Sequence, residues 1–130
     1  MAVTLTTTGR NAACDGLGDQ VDNGTGNGKL VFETTGDVEI ATINFNADAF
    51  AAAATGVASC NGLPKSDSSP ANAGTIAQAS IYDGTTPTAV KLLECVVGTA
   101  TGTSDIQITS LSIATTDTVT LSALTITVPE

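Results

Sequence analysis

Histidine and tryptophan are absent from these 130 residues, tyrosine occurs once, and only 13% of the chain is charged. General acid–base and nucleophilic catalysis need groups that titrate or can be activated near neutral pH, and histidine is the commonest of them. The groups left for such work are three cysteines, four basic residues and scattered carboxylates. A chain of this composition is expected to bind and pack, not to act as an enzyme, so no catalytic residue is assigned. Without a Cys/His cluster there is no zinc ligand set, and no metal or other cofactor is expected. Lysine and arginine are equally scarce against 13 acidic residues, a net charge of −9. Nucleic-acid binding calls for clustered basic residues, and Arg10, Lys29, Lys65 and Lys91 are too dispersed along the chain to suggest a basic stripe. No apolar run approaches the ~18 residues of a membrane span. The start, Met1-Ala2-Val3-Thr4, shows neither the basic nor the apolar region of a secretory signal.

What the chain does contain is small. Its 42% apolar fraction comes from Ala, Val, Ile and Leu, with three Phe. At ~25 cal/mol per Å² of buried apolar surface, each such side chain contributes less than an aromatic one. A single domain of residues 1–130 built this way gains from association, which favours a homo-oligomer, a dimer or trimer. Its acidity favours solubility and repulsion between neighbouring copies. Cys14, Cys60 and Cys95 lie far apart. An odd count without close pairs reads as buried, reduced thiols made in a cytoplasm. One disulfide with one thiol left over is the alternative.

The apolar periodicity divides the chain into an N-terminal helical segment over 1–24 and a β-sandwich over 29–130. Thr6, Thr7 and Thr8 offer N-caps. From Arg10 to Val21 the spacing of Ala13, Leu17 and Val21, with Cys14 beside them, predicts one face of a short helix. Gly16 and Gly18 weaken that helix by about 1 kcal/mol each relative to Ala, so it needs packing against the rest of the domain. Asn23-Gly24 is a stop signal. Strands are predicted over Leu30 to Thr34 and Asp37 to Asn46, joined at Thr35-Gly36. Further strands are predicted over Gly56 to Leu63, Thr75 to Asp83, Thr88 to Gly98, Asp105 to Ala114 and Thr118 to Val128. Turn residues separate them at Asn61-Gly62-Leu63-Pro64, at Asp83-Gly84 and along the Gly-Thr stretch from Gly98 to Ser104. Seven or so short strands indicate a mainly β fold, an antiparallel β-sandwich or jelly-roll-like barrel with a short N-terminal helix. Ala47 to Thr55 reads either as a second helix or as a tight small-residue loop. Ser66 to Gly74 reads as an exposed loop.

Three strands carry a phase slip. Val38 and Ile40 are out of step with Ile43 and Phe45, Ile106 and Ile108 with Leu111 and Ile113, and Val119 and Leu121 with Leu124, Ile126 and Val128. A one-residue slip turns the apolar face over unless a bulge absorbs it. Either the strands bend or pass between two sheets, or each slip is a turn and the strands are shorter.

The local motifs have bland readings. Gly24-Thr25-Gly26-Asn27-Gly28-Lys29 lacks the first glycine, the Ser or Thr after the lysine and the following helix of a phosphate loop, which leaves a helix-to-strand connector. Asp22 and Glu33 stand at the first and twelfth positions of a calcium loop whose middle ligands are missing. Cys60 could be a nucleophile only beside a base. Paired carboxylates for glycoside chemistry depend on the fold, and few aromatics are present to stack a sugar.

Several pieces, in order, span nearly the whole chain: Thr7-Thr8-Gly9-Arg10-Asn11-Ala12-Ala13-Cys14-Asp15, then Asp22 through Leu30, then Asp48 through Ala58, Tyr82-Asp83-Gly84, and Thr118 through Pro129. In these the chain resembles a family of small virion proteins encoded among the head genes of tailed bacteriophages. It departs from the family in the short stretch between Phe32 and Asp37 and in the few aromatics of Thr75 to Ser80. The resemblance implies a non-enzymatic protein like the jelly-roll cement or decoration proteins, partnered by the major capsid protein on the outer surface of the virion. On that reading the N-terminal segment through Val21 is expected to mediate subunit or capsid contacts. A low-copy tail or head–tail adaptor protein is the alternative, and a non-catalytic carbohydrate-binding β-sandwich module is a third reading.

Overall fold

The computed structural model describes residues 3–99 and 104–130. Most of the predicted turn between Gly98 and Ser104 falls outside these residues, as do Met1 and Ala2. Helix α1 covers Thr7–Val21. It is followed by β1 (Lys29–Glu33), β2 (Glu39–Asn44), β3 (Val57–Ser59), β4 (Lys65–Asp67), β5 (Gly74–Thr75) and β6 (Gln78–Tyr82). The chain continues through β7 (Lys91–Gly98), β8 (Ile106–Gln107), β9 (Ser112–Ile113), β10 (Val119–Leu121) and β11 (Thr125–Thr127). The fold is mainly β and predominantly antiparallel, with one short N-terminal helix, as the periodicity predicts.

The main sheet has five strands in the order β2-β1-β6-β7-β8, antiparallel except for the β7–β8 pair. Cross-strand register puts Leu30 and Phe32 beside Ile43 and Ala41 on one side and Ile81 and Ala79 on the other. These side chains form the sheet's inner face. Three two-stranded pairs, β4–β10, β3–β11 and β5–β9, contribute Ala58, Ile113, Val119, Leu121 and Ile126 to the same apolar core. The outer edge of β2 is covered group by group. Asp67 accepts from the Thr42 N–H at 2.9 Å, Lys65 Nζ donates to the Asn44 carbonyl at 2.9 Å, and the Asn72 side chain donates to the Glu39 carbonyl at 2.9 Å. Part of the predicted loop over Ser66 to Gly74 is therefore strand β4. Its Ser/Pro/Asn-rich composition hid the pairing with β10.

The phase slips resolve in two ways. In β2 a bulge opposite Phe32/Glu33 absorbs the slip, so that Ile40 and Ala41 are both buried. In the last two predicted strands the chain breaks instead. Ile106 and Ile113 belong to strands with different partners, as do Leu121 and Ile126.

Thr6 caps α1, its Oγ1 accepting from the Gly9 N–H at 3.2 Å. The buried face is Cys14, Gly18 and Val21, with Leu17 half-buried and Ala13 exposed. This corrects the predicted Ala13/Leu17/Val21 face by one residue: Cys14, bonded to the Gly56 carbonyl, and Gly18, against Phe50, take the inner positions in place of Ala13. Polar side chains hold the helix in place. Arg10 Nε donates to the Val128 carbonyl at 2.8 Å, Asn11 accepts from the Gly56 N–H at 2.7 Å, Cys14 Sγ donates to the Gly56 carbonyl at 3.0 Å, and Asp15 accepts from the Ala53 N–H at 2.7 Å. The inner face of the segment expected to make intermolecular contacts is thus consumed within its own domain. Val3 (93% exposed) and Leu5 (41%) precede it on the surface.

Gly16 is the simple weakness of this helix: a Cβ there meets no atom within 4 Å. Gly16→Ala should therefore stabilise the protein by about 0.5–1 kcal/mol, read in a thermal melt as a rise of roughly 2–5 °C.

The stretch from Ala47 to Thr55 is the tight loop, not a helix, despite its alanines. Its N–H groups are taken by tertiary partners: Ala49 by Asp22, Ala51 by the Ser59 carbonyl, Ala53 by Asp15, and Ala54 by the Val57 carbonyl. Four acceptors from outside the segment, three of them at alternating positions, outweigh a propensity of a few tenths of a kcal/mol per residue. The loop ends in a two-residue hairpin turn at Thr55 (φ 52°) and Gly56 (φ 79°), where positive φ matches the twist of the flanking strands.

Candidate interaction surfaces

The outer face of the main sheet is built around a buried acid. Glu33, 2% exposed, ends β1. Its Oε2 accepts from Ser80 Oγ at 3.0 Å and Gln78 Nε2 at 3.2 Å, and its Oε1 accepts from the Tyr82 hydroxyl at 2.7 Å. Lys91 Nζ lies 3.7 Å from Glu33, 3.5 Å from Asp37 and 3.3 Å from Glu94. Asp37 closes the network by accepting from Gln78 at 2.7 Å. Partial burial opposes the Lys91 charge, but Glu94, Glu33 and Asp37 outweigh it and hold the ammonium above the usual lysine range. Burial, then the hydrogen bond to Glu33 and the Glu33 charge, pushes the Tyr82 phenol up.

Register brings the lysines together. Asn44 of β2 pairs with Lys29 of β1, Lys29 with Tyr82 of β6, and Tyr82 with Lys91 of β7. Lys65 reaches the same row through the Asn44 carbonyl. Lys29 and Lys91 each place Nζ 5.9 Å from the centre of the single tyrosine ring, within cation–π range. Lys29 and Lys91 thus start at one end of the sheet, and Lys65 bonds to the Asn44 carbonyl at its β2 edge, so the three are nearer in space than along the chain. Sequence distance hides this. β1 and β7 both run antiparallel to the strand between them, so their first residues, Lys29 and Lys91, lie at the same end. The signal in the sequence was that each lysine opens a strand.

The second surface is acidic. A groove of about 380 Å³ between α1 and residues 48–52 is lined by Asp15, Asp19, Asp22 and Asp48, with Phe50 at its wall. Asp22 is pushed up by burial and by the charges of Asp48 and Asp19, against the lowering effect of its bond from the Ala49 N–H.

A third feature is a backbone clasp. The Gly26 N–H donates to the Gly84 carbonyl at 2.8 Å, and the Gly84 N–H donates to the Asn23 carbonyl at 2.8 Å. Asp83, 3% exposed, accepts from the Val90 N–H at 2.8 Å and from Thr85 Oγ1 at 2.8 Å. The Val90 bond, then the Thr85 bonds and the Asn23 side chain, holds its carboxyl below the ordinary range against the cost of burial. The glycine-rich connector is therefore one wall of a loop–loop junction.

The thiols are free. Cys14 is buried, and Cys60 and Cys95 are half-buried with pKa values pushed up by burial to about 11. Such thiols are overwhelmingly protonated near neutral pH, which makes Cys60 a poor nucleophile. Asp22 and Glu33, weighed as the ends of a calcium loop, serve different contacts, to Ala49 and to the Tyr82 network. Among the described residues no group of three or more His, Cys, Asp or Glu is placed to hold a metal ion, and no helix is long and apolar enough to cross a membrane. Comparison with protein-family models, with curated proteins and with solved structures gives no match to this chain.

Proposed function

We propose that this chain is a structural virion protein of a tailed bacteriophage, a decoration or cement protein that docks on the outside of the major capsid lattice and stabilises the head. The observation that carries this reading is the clasp. Two of the pieces on which the resemblance rests, Asp22 through Leu30 and Tyr82-Asp83-Gly84, are far apart in sequence yet bond to each other through Gly26, Asn23 and Gly84. Both walls of that junction are pieces of the resemblance, so the likeness falls on one structural feature of this fold. A small acidic β subunit suits the task, since many modest contacts repeated over a lattice add by avidity. Made in the host cytoplasm, it would stay soluble until assembly.

The test is copy number in purified virions, measured by quantitative mass spectrometry against the major capsid protein. A near one-to-one ratio is the expected result. A dozen copies or fewer would assign the chain to the tail or the head–tail junction, and absence from the particle would overturn the virion reading.

A further inference from the structure

Of the four basic residues, two are spent inside the fold. Arg10 pairs with Glu130 at 3.3 Å, and Lys91 is shared among Glu33, Asp37 and Glu94. Lys29 and Lys65 form no ion pair among the described residues, and both flank Asn44, Lys29 as its partner across the ladder and Lys65 through a bond to its carbonyl. The same holds for the groove acids: Asp15, Asp19, Asp22 and Asp48 have no cationic partner among the described residues, although Asp15 and Asp22 accept backbone N–H bonds. The crowding is strong enough for Asp19 and Asp48 to act on Asp22. Among the described residues, one molecule therefore carries two cations beside Asn44 and a groove of four acids that form no ion pair.

We propose that the Lys29/Lys65 patch of one copy receives the acidic groove of a second copy of this chain. The occupant is a second copy because the same chain supplies both halves of the contact, with complementary charge. A net charge of −9 on each copy opposes association at long range. At physiological ionic strength, however, charges separated by more than ~8 Å are largely screened while contact pairs are not, so the local pairs decide. Patch and groove are different surfaces, so the contact is heterologous: it closes into a ring if the rotation allows and otherwise extends. This inference does not rest on the decoration reading. It is tested on the purified chain without any particle.

Sedimentation velocity at about 0.15 M salt separates the outcomes. Wild type should self-associate. Lys29→Glu/Lys65→Glu and Asp19→Lys/Asp48→Lys should each weaken association about tenfold or more. Mixing these two variants should restore a complex, because the reversed charges complement across the interface. Asp19 and Asp48 are chosen because neither carboxylate accepts a hydrogen bond among the described residues, unlike those of Asp15 and Asp22. Circular dichroism must show each variant folded, and the single changes Lys65→Glu and Asp48→Lys replace any double variant that is not. A wild type that stays monomeric at millimolar concentration would overturn the proposal. So would variants that associate like wild type, or a mixture that stays apart. A monomer that binds particles through Lys29 and Lys65 would assign the patch to the capsid and overturn it as well.

Discussion

Gly84→Ala should lower the melting temperature by at least about 10 °C, corresponding to a loss of roughly 3 kcal/mol or more. A Cβ at this position would overlap the Gly26 carbonyl oxygen and lie 2.6 Å from the Gly26 carbonyl carbon and 3.1 Å from the Asn23 oxygen. All three are backbone atoms, so no rotamer change relieves the overlap, and the two loops must separate. Separation breaks both 2.8 Å bonds of the clasp, each worth about 1 kcal/mol net and more where a buried group loses its partner. It also disturbs Asp83, whose acceptors organise the turn through Val90. Gly16→Ala is the matched control, the same substitution at an open helix site with the opposite sign. A melting temperature for Gly84→Ala within about 2 °C of wild type would show that the clasp is not needed for the fold.

Glu33→Ala is the second large effect, a loss of about 2–4 kcal/mol. The substitution strips the acceptor from the Tyr82 and Ser80 hydroxyls and from the Gln78 amide at a site with almost no access to water. Glu33→Gln keeps the volume and one acceptor oxygen and should cost about half as much. Chemical denaturation of the three proteins orders them, and equal stability of wild type and Glu33→Ala would contradict the account of the network. The same network predicts an alkaline limit. Tyr82 ionises at higher pH in the folded protein than in the unfolded chain, so above the ordinary tyrosine pKa of about 10 the folded state holds the extra proton. Stability is then lost as pH rises from there through the folded pKa, and not as it falls. Lys91, also raised, acts in the same direction. Glu33→Gln, which removes one cause of the Tyr82 shift, should flatten that alkaline loss.

Both effects concern contacts between residues remote in sequence, and here the sequence and the structure divide. Local physics was legible. The threonines before the helix include the N-cap Thr6, Thr35-Gly36 joins β1 to β2, and each phase slip marks a bulge or a strand break. These depend on φ/ψ preference and on the alternation of side chains within a few residues. The second candidate helix could not be decided locally, because what prevents it is four acceptors supplied from outside the segment.

The sequence by itself determined the class of the protein: mainly β with a short N-terminal helix, acidic and poor in aromatics, with few groups able to titrate near neutral pH. Only the tertiary structure decided the surfaces. Strand direction brings Lys29 and Lys91 to one end of the main sheet, packing of α1 gathers four aspartates into a groove, and loop contact leaves no room for a side chain at Gly84. The physical reason is that composition and periodicity report on neighbours along the chain. Charge complementarity and close backbone approach instead depend on distances through space, which register and crossover alone set.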